Sequence, residues 1–356
     1  MKDHNKKILI IKLSSIGDVV HSLPFLEVIR NEFPHALIDW IVEQEAASII
    51  KGHPALNNLI ISKRKVWQKN IFKTSQFMNV MNEAKGLIQK TRSLNYNMVI
   101  DLQGLLKSGL LTCIAKGHRK IGMAGAREGA GLFYTEQVPV NYDEHAIDRY
   151  LRITEYLGCQ TFLWQGRIPV TSSDNEYINN MLGADGEPKR PIIAINPMTK
   201  WKTKLWEEDR FAVLADRLVQ DLGCDLVFTG SRNDRSALDN ICSMMKKDAI
   251  NLAGKTSLKE LACLYTRCAI LITTDTGPMH IGAAMGCRIV ALFGPTAPWR
   301  TGPYGQGNKI IRSSIDCSPC LKKTCDHKTC MTDISVETVF DTAKEILQDS
   351  GRFRGA

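Results

Sequence analysis

The fold of this chain is indicated first by residues 8–24, which read ILIIKLSSIGDVVHSLP. Residues Ile8–Leu13 form an apolar, β-branched run that predicts a buried strand. A short turn with two serines and a glycine follows. The apolar spacing over Val19–Asn31 then predicts a helix that Phe33-Pro34 ends. A strand that turns directly into a helix begins a βαβ unit, so a parallel sheet is predicted.

The same alternation is repeated along the chain. Further strands are predicted at Leu37–Val42, Asn58–Ser62, Asn97–Leu102, Pro191–Asn196, Asp225–Thr229, Ala269–Thr273 and Arg288–Phe293. Further helices are predicted at Ser75–Arg92, His145–Leu157, Glu207–Leu222 and Ser257–Tyr265. The sequence therefore predicts an α/β protein with two doubly wound parallel sheets that face each other across a cleft.

Domain boundaries follow from the break in this alternation. The stretch Thr171–Lys189 is poorly periodic and rich in glycine and polar residues, so it is predicted to be a linker. We expect an N-terminal domain over residues 1–170 and a C-terminal domain over residues 190–335. Residues 336–356 are expected to form a helix that packs back on the N-terminal domain.

Composition excludes several classes of protein. Among 356 residues, 44% are hydrophobic and 23% are charged, which is typical of a globular chain. No apolar run approaches the roughly 18 residues of a membrane span, and the run near the N-terminus is too short for a signal peptide. The net charge of +9 suits phosphorylated small molecules or an anionic membrane surface. Nucleic-acid binding is not expected, because it needs a stronger basic stripe with interleaved aromatic residues.

The turn after the first strand carries one carboxylate, Asp18, at the start of the following helix. Asp18 is either an N-cap, which stabilises a helix by about 1 kcal/mol, or a general base that takes a proton from an incoming hydroxyl. No G-x-G-x-x-G motif follows this strand, so a dehydrogenase-type dinucleotide site is not supported. The absence of a Walker lysine motif likewise argues against P-loop phosphoryl transfer.

Two loops in the second half have the residues of an anion site. In residues 272–284, ITTDTGPMHIGAA, a strand ends in a hydroxyl- and glycine-rich turn and a helix follows with Pro278 near its first turn. The free N–H groups and positive end of that helix suit a pyrophosphate, and Thr274, Thr276 and His280 add side-chain donors. The alternative is a capped helix without a ligand. After the strand at Pro191–Asn196, the loop PMTKWKTKLW adds lysines and hydroxyls, which are either solvated or form a clamp on a phosphate.

Two further clusters of residues each allow two interpretations. Basic residues gather in the first half, where they are either a solvated face or a site for a polyanionic acceptor; they are Lys63, Arg64, Lys65, Lys69, Lys107, Lys116, Arg119, Lys120, Arg127 and Arg149. Four cysteines lie within 14 residues, at Cys317, Cys320, Cys325 and Cys330. They are either free thiols or ligands of zinc or an iron–sulfur cluster, and their spacing is not that of a paired zinc ribbon.

Taken together, these motifs resemble the ADP-heptose:lipopolysaccharide heptosyltransferases of glycosyltransferase family 9. The resemblance covers about residues 7–345 and rests on KLSSIGDVVHSLP at residues 12–24, DLQGLLKS at residues 101–108, His145-Ala146 with Arg149, the Asp275-Thr276-Gly277 turn and FGPT at residues 293–296. It implies a GT-B fold that binds the nucleotide sugar in the C-terminal domain and the acceptor in the N-terminal domain. It also implies inversion at the sugar carbon without a metal or other cofactor.

The resemblance also implies roles for single residues. Asp18 would be the catalytic base. The candidate donor-binding residues are Ser15, Gly17, Thr199, Lys204, Asp234, Asp275, Thr276, Gly277 and His280. The candidate acceptor-binding residues are Arg64, Lys107, Arg127, His145 and Arg149. Asp234 is a departure, since the family often has a glutamate in this loop, and the resemblance assigns no chemistry to the four cysteines.

The function implied is transfer of L-glycero-D-manno-heptose from ADP-heptose to the Kdo of an immature lipid A core. The enzyme is expected in the cytoplasm, at most peripheral on the inner face of the inner membrane, without a transmembrane segment. One alternative is a family member that acts on a different acceptor or sugar nucleotide, such as a second heptosyltransferase. Another is a non-catalytic nucleotide-sugar-binding protein, which the presence of Asp18 disfavours.

Overall fold

Each half of the chain builds its own six-stranded parallel sheet. The computed structural model describes residues 6–161, 163–183 and 190–349. It divides the chain into a first unit, Met1–Pro169, and a second unit, Val170–Ala356. The predicted α/β class and the two doubly wound sheets are confirmed.

In the first unit the strands are β1 Lys7–Ile11, β2 Leu37–Glu43, β3 Asn58–Ser62, β4 Tyr96–Asp101, β5 Gly117–Met123 and β6 Glu136–Val138. The helices are α1 Ile16–Val20, α2 Leu23–Glu32, α3 Ala47–Ile50, α4 Arg64–Asn70, α5 Thr74–Arg92, α6 Leu106–Ile114 and α7 Ala146–Tyr156. The strand order is β3-β2-β1-β4-β5-β6. The central strands are apolar because both faces of a parallel sheet are covered, and Ile8–Ile11 are accordingly buried.

In the second unit the strands are β7 Ile192–Asn196, β8 Asp225–Phe228, β9 Ile250–Asn251, β10 Cys268–Thr274, β11 Arg288–Phe293 and β12 Lys309–Arg312. The helices are α8 Ser172–Leu182, α9 Glu208–Leu222, α10 Arg235–Met244, α11 Leu258–Arg267, α12 Gly277–Ala284, α13 Pro298–Thr301, α14 Thr329–Thr332 and α15 Val336–Asp349. The order β12-β11-β10-β7-β8-β9 repeats that of the first sheet, since β7 and β10 take the places of β1 and β4.

Two predicted elements differ from the structure. The helix predicted at Val19–Asn31 is interrupted at His21–Ser22, and the structure has two helices there, α1 and α2. Pro24 lies in the first turn of α2. A proline there has no N–H to donate and its ring excludes the carbonyl four residues earlier, so one continuous helix cannot form. The predicted linker Thr171–Lys189 was wrong in its first part, because α8 occupies Ser172–Leu182; residues 184–189 lie outside the described residues.

A capping box explains why α8 forms in a weakly periodic stretch. Thr171 Oγ1 accepts a hydrogen bond from the backbone N–H of Asp174 at 3.2 Å, and Asp174 Oδ2 accepts one from the backbone N–H of Thr171 at 2.8 Å. This reciprocal pair satisfies two of the otherwise unpaired donors at the helix start. Gly183, in the left-handed conformation, ends the helix.

The C-terminal helix α15 packs on the second unit. Phe340, Ala343 and Leu347 belong to the core that α9 and the second sheet form. The expectation that this helix packs back on the N-terminal domain was therefore wrong for its buried face. Its amphipathic pattern predicts burial on one side and cannot say against which partner. Residues 350–356 lie outside the described residues.

Candidate active site

The strand order creates one switch point in each unit, at the carboxyl edge of its sheet. In the first sheet the order reverses between β1 and β4, and in the second sheet it reverses between β7 and β10. Ligands of doubly wound sheets bind in the crevice outside the carboxyl ends of such strands. Ligand-binding residues are therefore expected directly after these four strands.

Asp18 lies in the first turn of α1, after the loop that follows β1. Its Oδ2 atom accepts hydrogen bonds from the backbone N–H of Ser15 at 2.8 Å and from the Ser15 hydroxyl at 3.0 Å. Ser15 is the N-cap and Asp18 is the third helical residue, so the expectation that Asp18 is the N-cap was wrong in position. Gly17 is buried in the same turn.

The loop that carries Ser15 and Asp18 is held by the loop after β4. Gln103 Oε1 accepts hydrogen bonds from the backbone N–H groups of Leu13 at 3.2 Å and Ser14 at 3.0 Å. Gln103 is itself fixed by Asp101, whose Oδ1 accepts from the Gln103 N–H at 2.8 Å. Burial raises the pKa of Asp101, which also accepts a hydrogen bond from the Tyr134 hydroxyl at 2.7 Å. The switch point is thus bound together by side chains that bridge both strands.

A buried lysine lies beside this loop. Lys12 is 2% exposed, and its Nζ donates hydrogen bonds to the Tyr150 hydroxyl at 2.7 Å and the Leu102 carbonyl at 3.1 Å. Burial by itself lowers the pKa of Lys12, but Tyr150 and the carboxylates of Asp18 and Asp101 outweigh it and raise the pKa. Lys12 therefore stays charged and presents a fixed positive charge near Asp18. The sequence analysis missed Lys12, although a lysine at the end of an apolar strand was a visible signal.

Two predicted acceptor residues converge on a carboxylate that the sequence analysis also missed. Glu43 ends β2, its side chain is 1% exposed, and its Oε1 accepts from Arg64 Nη2 at 2.7 Å and lies 3.4 Å from Lys107 Nζ. Lys65 Nζ lies 3.3 Å from the other oxygen. Burial alone raises the pKa of Glu43, but the Arg64 hydrogen bond and the positive charges of Lys107 and Lys65 lower it overall. We call these four residues the Glu43 cluster.

The Glu43 cluster reaches the loop after β1. Lys107 Nζ donates a hydrogen bond to the hydroxyl of Ser14 at 2.9 Å, next to the residue that caps α1. Burial and the neighbouring positive charge of Arg64 lower the pKa of Lys107, while Glu43 opposes this change. Three cations on one buried carboxylate leave an excess of positive charge at this edge of the sheet. This arrangement suits an anionic ligand.

The remaining predicted acceptor residues lie around the start of α7. His145 is the N-cap, and its Nδ1 accepts from the backbone N–H of Ile147 at 3.2 Å. Its ring packs edge-on against His21, with centroids 5.0 Å apart. The Arg149 guanidinium lies 5.3 Å from the centroid of the Tyr142 ring, and its buried Nε has no hydrogen-bond partner among the described residues.

Arg127 belongs to the same neighbourhood as Arg149. Burial raises the pKa of Tyr142, while the positive charges of Arg149 and Arg127 act in the opposite direction. The backbone N–H of Arg127 donates to the carbonyl of Gly104 at 2.9 Å, which ties it to the loop after β4. Both arginines thus bring positive charge to the surroundings of Tyr142, which suits an anionic group.

In the second unit, the predicted phosphate residues are gathered around Asp275. Its Oδ2 accepts from Lys204 Nζ at 2.6 Å and from the Thr296 hydroxyl at 2.7 Å. The hydroxyl of Thr199 lies 3.5 Å from the Asp275 backbone oxygen. The side chain of Asp275 is thus already bound by protein groups and would repel a phosphate. Asp275 therefore orients Lys204 and Thr296. Its predicted contact with the donor stays a prediction.

The helix after Asp275 has the geometry of an anion site. Thr276 is the N-cap of α12 without a side-chain capping bond, Gly277 is the first helical residue, and Pro278 lies in the first turn. The Oγ1 atom of Thr274 is buried and has no hydrogen-bond partner within the described part of the chain. His280 is 7% exposed and lies one turn into the helix. The N–H groups of the first turn and the helix dipole favour a phosphate here.

Asp234 follows β8 and has a structural role in its loop. Its Oδ2 atom accepts from the backbone N–H of Ser231 at 2.7 Å and from the Ser231 hydroxyl at 2.6 Å. Gly254, at φ +71°, approaches so closely that a Cβ there would lie 2.7 Å from Arg232 Cα. Asp234 therefore shapes the loop. Its predicted contact with the nucleoside stays a prediction.

The four clustered cysteines lie in the segment that supports the Asp275 site. Burial raises the pKa of the Cys330 thiol, and the nearby thiols of Cys320, Cys317 and Cys325 raise it further. All four are free thiols. No group of three or more His, Cys, Asp or Glu side chains in the described residues is arranged to hold a metal ion. We call these four residues the thiol cluster.

The segment between the cysteines contacts both loops of the predicted donor site. The Ser318 hydroxyl donates to the Gly294 carbonyl at 2.7 Å, in the turn that also carries Thr296. The Thr203 hydroxyl donates to the Lys322 carbonyl at 2.9 Å, and Thr203 precedes Lys204. The segment between the cysteines thus helps to hold two loops of the predicted donor site in place.

A cavity of about 430 Å³ in the first unit is lined by Lys6, Glu32, Phe33, Asn97, Met98, His118, Arg119 and Leu157. Lys6, Asn97 and His118 stand at the amino ends of β1, β4 and β5. The cavity is therefore at the edge of the sheet opposite the switch point. We do not assign it to the predicted site.

Two sheets of one doubly wound order, with a cation cluster at one switch point and a helix start suited to phosphate at the other, fit the GT-B fold of glycosyltransferases. The sequence pattern of Glycosyltransferase family 9 (heptosyltransferase) matches residues 85–331. The chain belongs to this family, and the resemblance predicted from its motifs is confirmed.

Individual relatives agree with this assignment. Lipopolysaccharide heptosyltransferase 1 of Pseudomonas aeruginosa is 31% identical over 95% of this chain and 92% of its own length. A glycosyl transferase family 9 structure from Veillonella parvula is 26% identical, covers 98% of this chain and 99% of its own, and has a TM-score of 0.83.

Escherichia coli heptosyltransferase WaaC is similar as well. Its structure with ADP is 26% identical, covers 96% of this chain and 99% of its own, and has a TM-score of 0.77. Its structure with ADP-2-deoxy-2-fluoro heptose is 25% identical, covers 97% of this chain and 99% of its own, and has a TM-score of 0.74.

Within the described residues of our chain, no helix is long and apolar enough to cross a membrane.

Proposed function

We propose that this chain transfers L-glycero-D-manno-heptose from ADP-heptose to the Kdo of an immature lipid A core, with inversion at the sugar carbon. One observation carries the proposal: Asp18 stands at the β1–β4 switch point beside the charged Lys12 and the cation-rich Glu43 cluster. A carboxylate among cations is suited to a hydroxyl on an anionic molecule. Kdo carries a carboxylate and lipid A carries phosphates, so this acceptor has the required charge.

The proposed reaction is a single displacement. The acceptor hydroxyl attacks the anomeric carbon of the heptose, its proton passes to the Asp18 carboxylate, and the bond from that carbon to the phosphate oxygen of ADP breaks. The electron pair of the broken bond stays on ADP. A carboxylate suffices as base because the hydroxyl becomes acidic only as the new bond forms.

The second unit is proposed to bind the donor. ADP leaves with additional negative charge, which the Lys204 ammonium and the first-turn N–H groups of α12 would stabilise. Asp275 holds Lys204 at 2.6 Å and thereby fixes the position of this positive charge. The structure of the similar Escherichia coli heptosyltransferase WaaC with ADP supports a nucleoside diphosphate as the leaving group of the donor.

Product analysis tests this function. The purified chain is incubated with ADP-heptose and a panel of truncated lipid A acceptors, and the products are measured by mass spectrometry and by NMR of the new anomeric centre. We expect one added heptose on the acceptor that ends in Kdo, with inverted configuration. Addition only to an acceptor that already carries heptose would identify a second heptosyltransferase, and ADP-heptose binding without any product would identify a non-catalytic binding protein.

A further inference from the structure

One segment of the first unit has a net charge almost as large as that of the whole chain. Residues 63–92 contain eight lysines or arginines and a single glutamate, a net charge of +7 in a chain whose total is +9. The segment folds as α4 and α5 joined by a short turn. We call residues 63–92 the basic hairpin.

The single acid of the basic hairpin is bound within it. Glu83 Oε1 accepts from Lys63 Nζ at 2.6 Å, and Glu83 Oε2 accepts from Trp67 Nε1 at 2.6 Å. The hydrogen bond from Lys63 lowers the pKa of Glu83, so this carboxylate stays ionised and joins α4 to α5. The hairpin is thus a defined unit whose one negative charge is already compensated.

Five of the other seven cations of the hairpin face solvent. The exposed ones are Lys69, Lys73, Lys85, Lys90 and Arg92, and none of them forms an ion pair with another described residue. They differ in this from Arg64 and Lys65, which bind Glu43. Five exposed charges of one sign are a strong local field for an anionic surface.

Large apolar side chains are exposed between these cations. Phe72, in the turn between the helices, is 94% exposed, and Met78 is 66% exposed. Phe77, Met81 and Ile88 are also exposed. Met81 and Ile88 follow Phe77 by four and eleven residues, a spacing that places all three along one face of α5. A chain does not leave a phenylalanine almost wholly in water without cost, so a contiguous exposed set points to a binding surface.

This apolar face borders the one that α5 buries. Val80 and Leu87 face the interior, and Leu87 belongs to the core of the first unit. Lys85, four residues after Met81, lies within the exposed apolar stripe. Helix α6, which packs beside α5, adds the exposed Leu106 and Leu110. A helix with mixed apolar and basic residues on its outer face matches the pattern of helices that lie in a membrane interface.

We propose that the basic hairpin docks this protein on the surface of a bilayer that carries anionic headgroups, with Phe72 and the exposed face of α5 in the interface and the lysines on the headgroups. A protein partner fits less well, because protein interfaces are depleted in lysine. A second copy fits less well too, because a symmetric contact through this face brings two segments of +7 together. The bilayer matches both the charge and the apolar residues.

The purpose of this docking rests on the proposed function, whereas its experimental test does not. The first helix of the hairpin, α4, begins at Arg64, whose side chain binds Glu43 in the predicted acceptor site. Docking the hairpin would therefore hold the Glu43 cluster at the level of the headgroups. A lipid-anchored acceptor projects its sugars and phosphates at that level.

Vesicle binding by the full chain tests the docking surface. The vesicles are phosphatidylethanolamine with or without phosphatidylglycerol, and they contain neither acceptor nor nucleotide, so the result does not depend on transferase activity. We expect binding only with phosphatidylglycerol. It should weaken about tenfold in Phe72→Ser and roughly a hundredfold at low salt in the combined Lys69→Gln, Lys73→Gln and Lys85→Gln variant.

Matched controls lie outside the hairpin. Leu163→Ser removes an exposed leucine of the same unit, and Lys246→Gln with Lys247→Gln removes two exposed lysines of the second unit; both should bind like the parent. Activity on an acceptor without its acyl chains should be the same in Phe72→Ser and the parent. If that activity is absent in both while vesicle binding follows the expected order, the proposed function fails and the docking surface stands.

Three outcomes would overturn the docking surface. The first is equal binding of Phe72→Ser and the parent to anionic vesicles. The second is loss of binding in the control variants to the same degree, which would show general charge attraction. The third is a dimer, seen by light scattering, that Phe72→Ser dissociates while vesicle binding is absent in every variant; the face would then join two copies.

Discussion

Replacing Glu43 by glutamine should destabilise the first unit and disorder the predicted acceptor site. The buried Glu43 carboxylate holds Arg64 at 2.7 Å, Lys65 at 3.3 Å and Lys107 at 3.4 Å. Breaking a buried ion pair costs about 3–5 kcal/mol. The three cations here are 22–43% exposed and can regain water, which lowers the expected cost to about 2 kcal/mol. For a unit of this size that is a fall in Tm of about 4–8 °C.

The Tm difference between the parent and Glu43→Gln should depend on pH in one direction. The pKa of Glu43 is lowered in the folded state, so its contribution is fully present above the ordinary value of 4.5 and is lost as the pH falls through the lowered pKa. Differential scanning calorimetry should therefore show the full Tm difference between parent and Glu43→Gln at neutral pH and a shrinking difference in acid. Glu83→Gln, which breaks an exposed pair with Lys63, should cause a smaller change. An unchanged Tm in Glu43→Gln, or a difference that grows in acid, would refute the reasoning.

Three other predictions concern the donor, the acceptor and the cysteines. Asp275→Ala should weaken ADP binding measured by calorimetry, because Lys204 loses its 2.6 Å partner and its fixed position; unchanged affinity means that the donor site is placed wrongly. Lys107→Ala or Arg149→Ala should raise the KM for the acceptor and leave ADP affinity unchanged, since phosphate contacts made equally in ground and transition states are uniform binding; a loss of ADP binding would move these residues to the nucleotide side. The thiol cluster is expected to be non-catalytic, so activity should persist after chelation in a sample assayed for zinc and iron, and abolished turnover with an intact fold would contradict this.

The sequence pattern predicted those strands and turns that are determined by residues adjacent in the chain. The strand at Asn58–Ser62 and the strand at Arg288–Phe293 have the bounds that their apolar runs indicate. The turn at Asp275 was found because a strand, small residues and a proline at a helix start are adjacent in sequence. Elements with weak patterns, such as the short β6 and β9, were missed because hydrogen bonds to a neighbouring strand define them.

Contacts between distant residues could not be predicted in the same way. Glu43 and Lys107 are 64 residues apart, and Lys12 and Tyr150 are 138 residues apart. Sequence reasoning named Lys107 as a cation for the acceptor, but only the sheet order brings it to Glu43. It named Asp275 as a donor contact and did not predict that Lys204 binds this carboxylate. In both cases the residue was identified and its partner was not.

The role of Asp18 as general base is tested most directly by kcat in Asp18→Asn. The asparagine oxygen can still accept from the Ser15 N–H, so the turn should stay folded. Asp174→Asn is the matched control, because Asp174 makes the same two bonds to Thr171 at the start of α8. We predict that kcat falls about 10²–10⁴-fold in Asp18→Asn, with ADP affinity unchanged and Asp174→Asn fully active. An Asp18→Asn enzyme that turns over within a few-fold of the parent would contradict the mechanism.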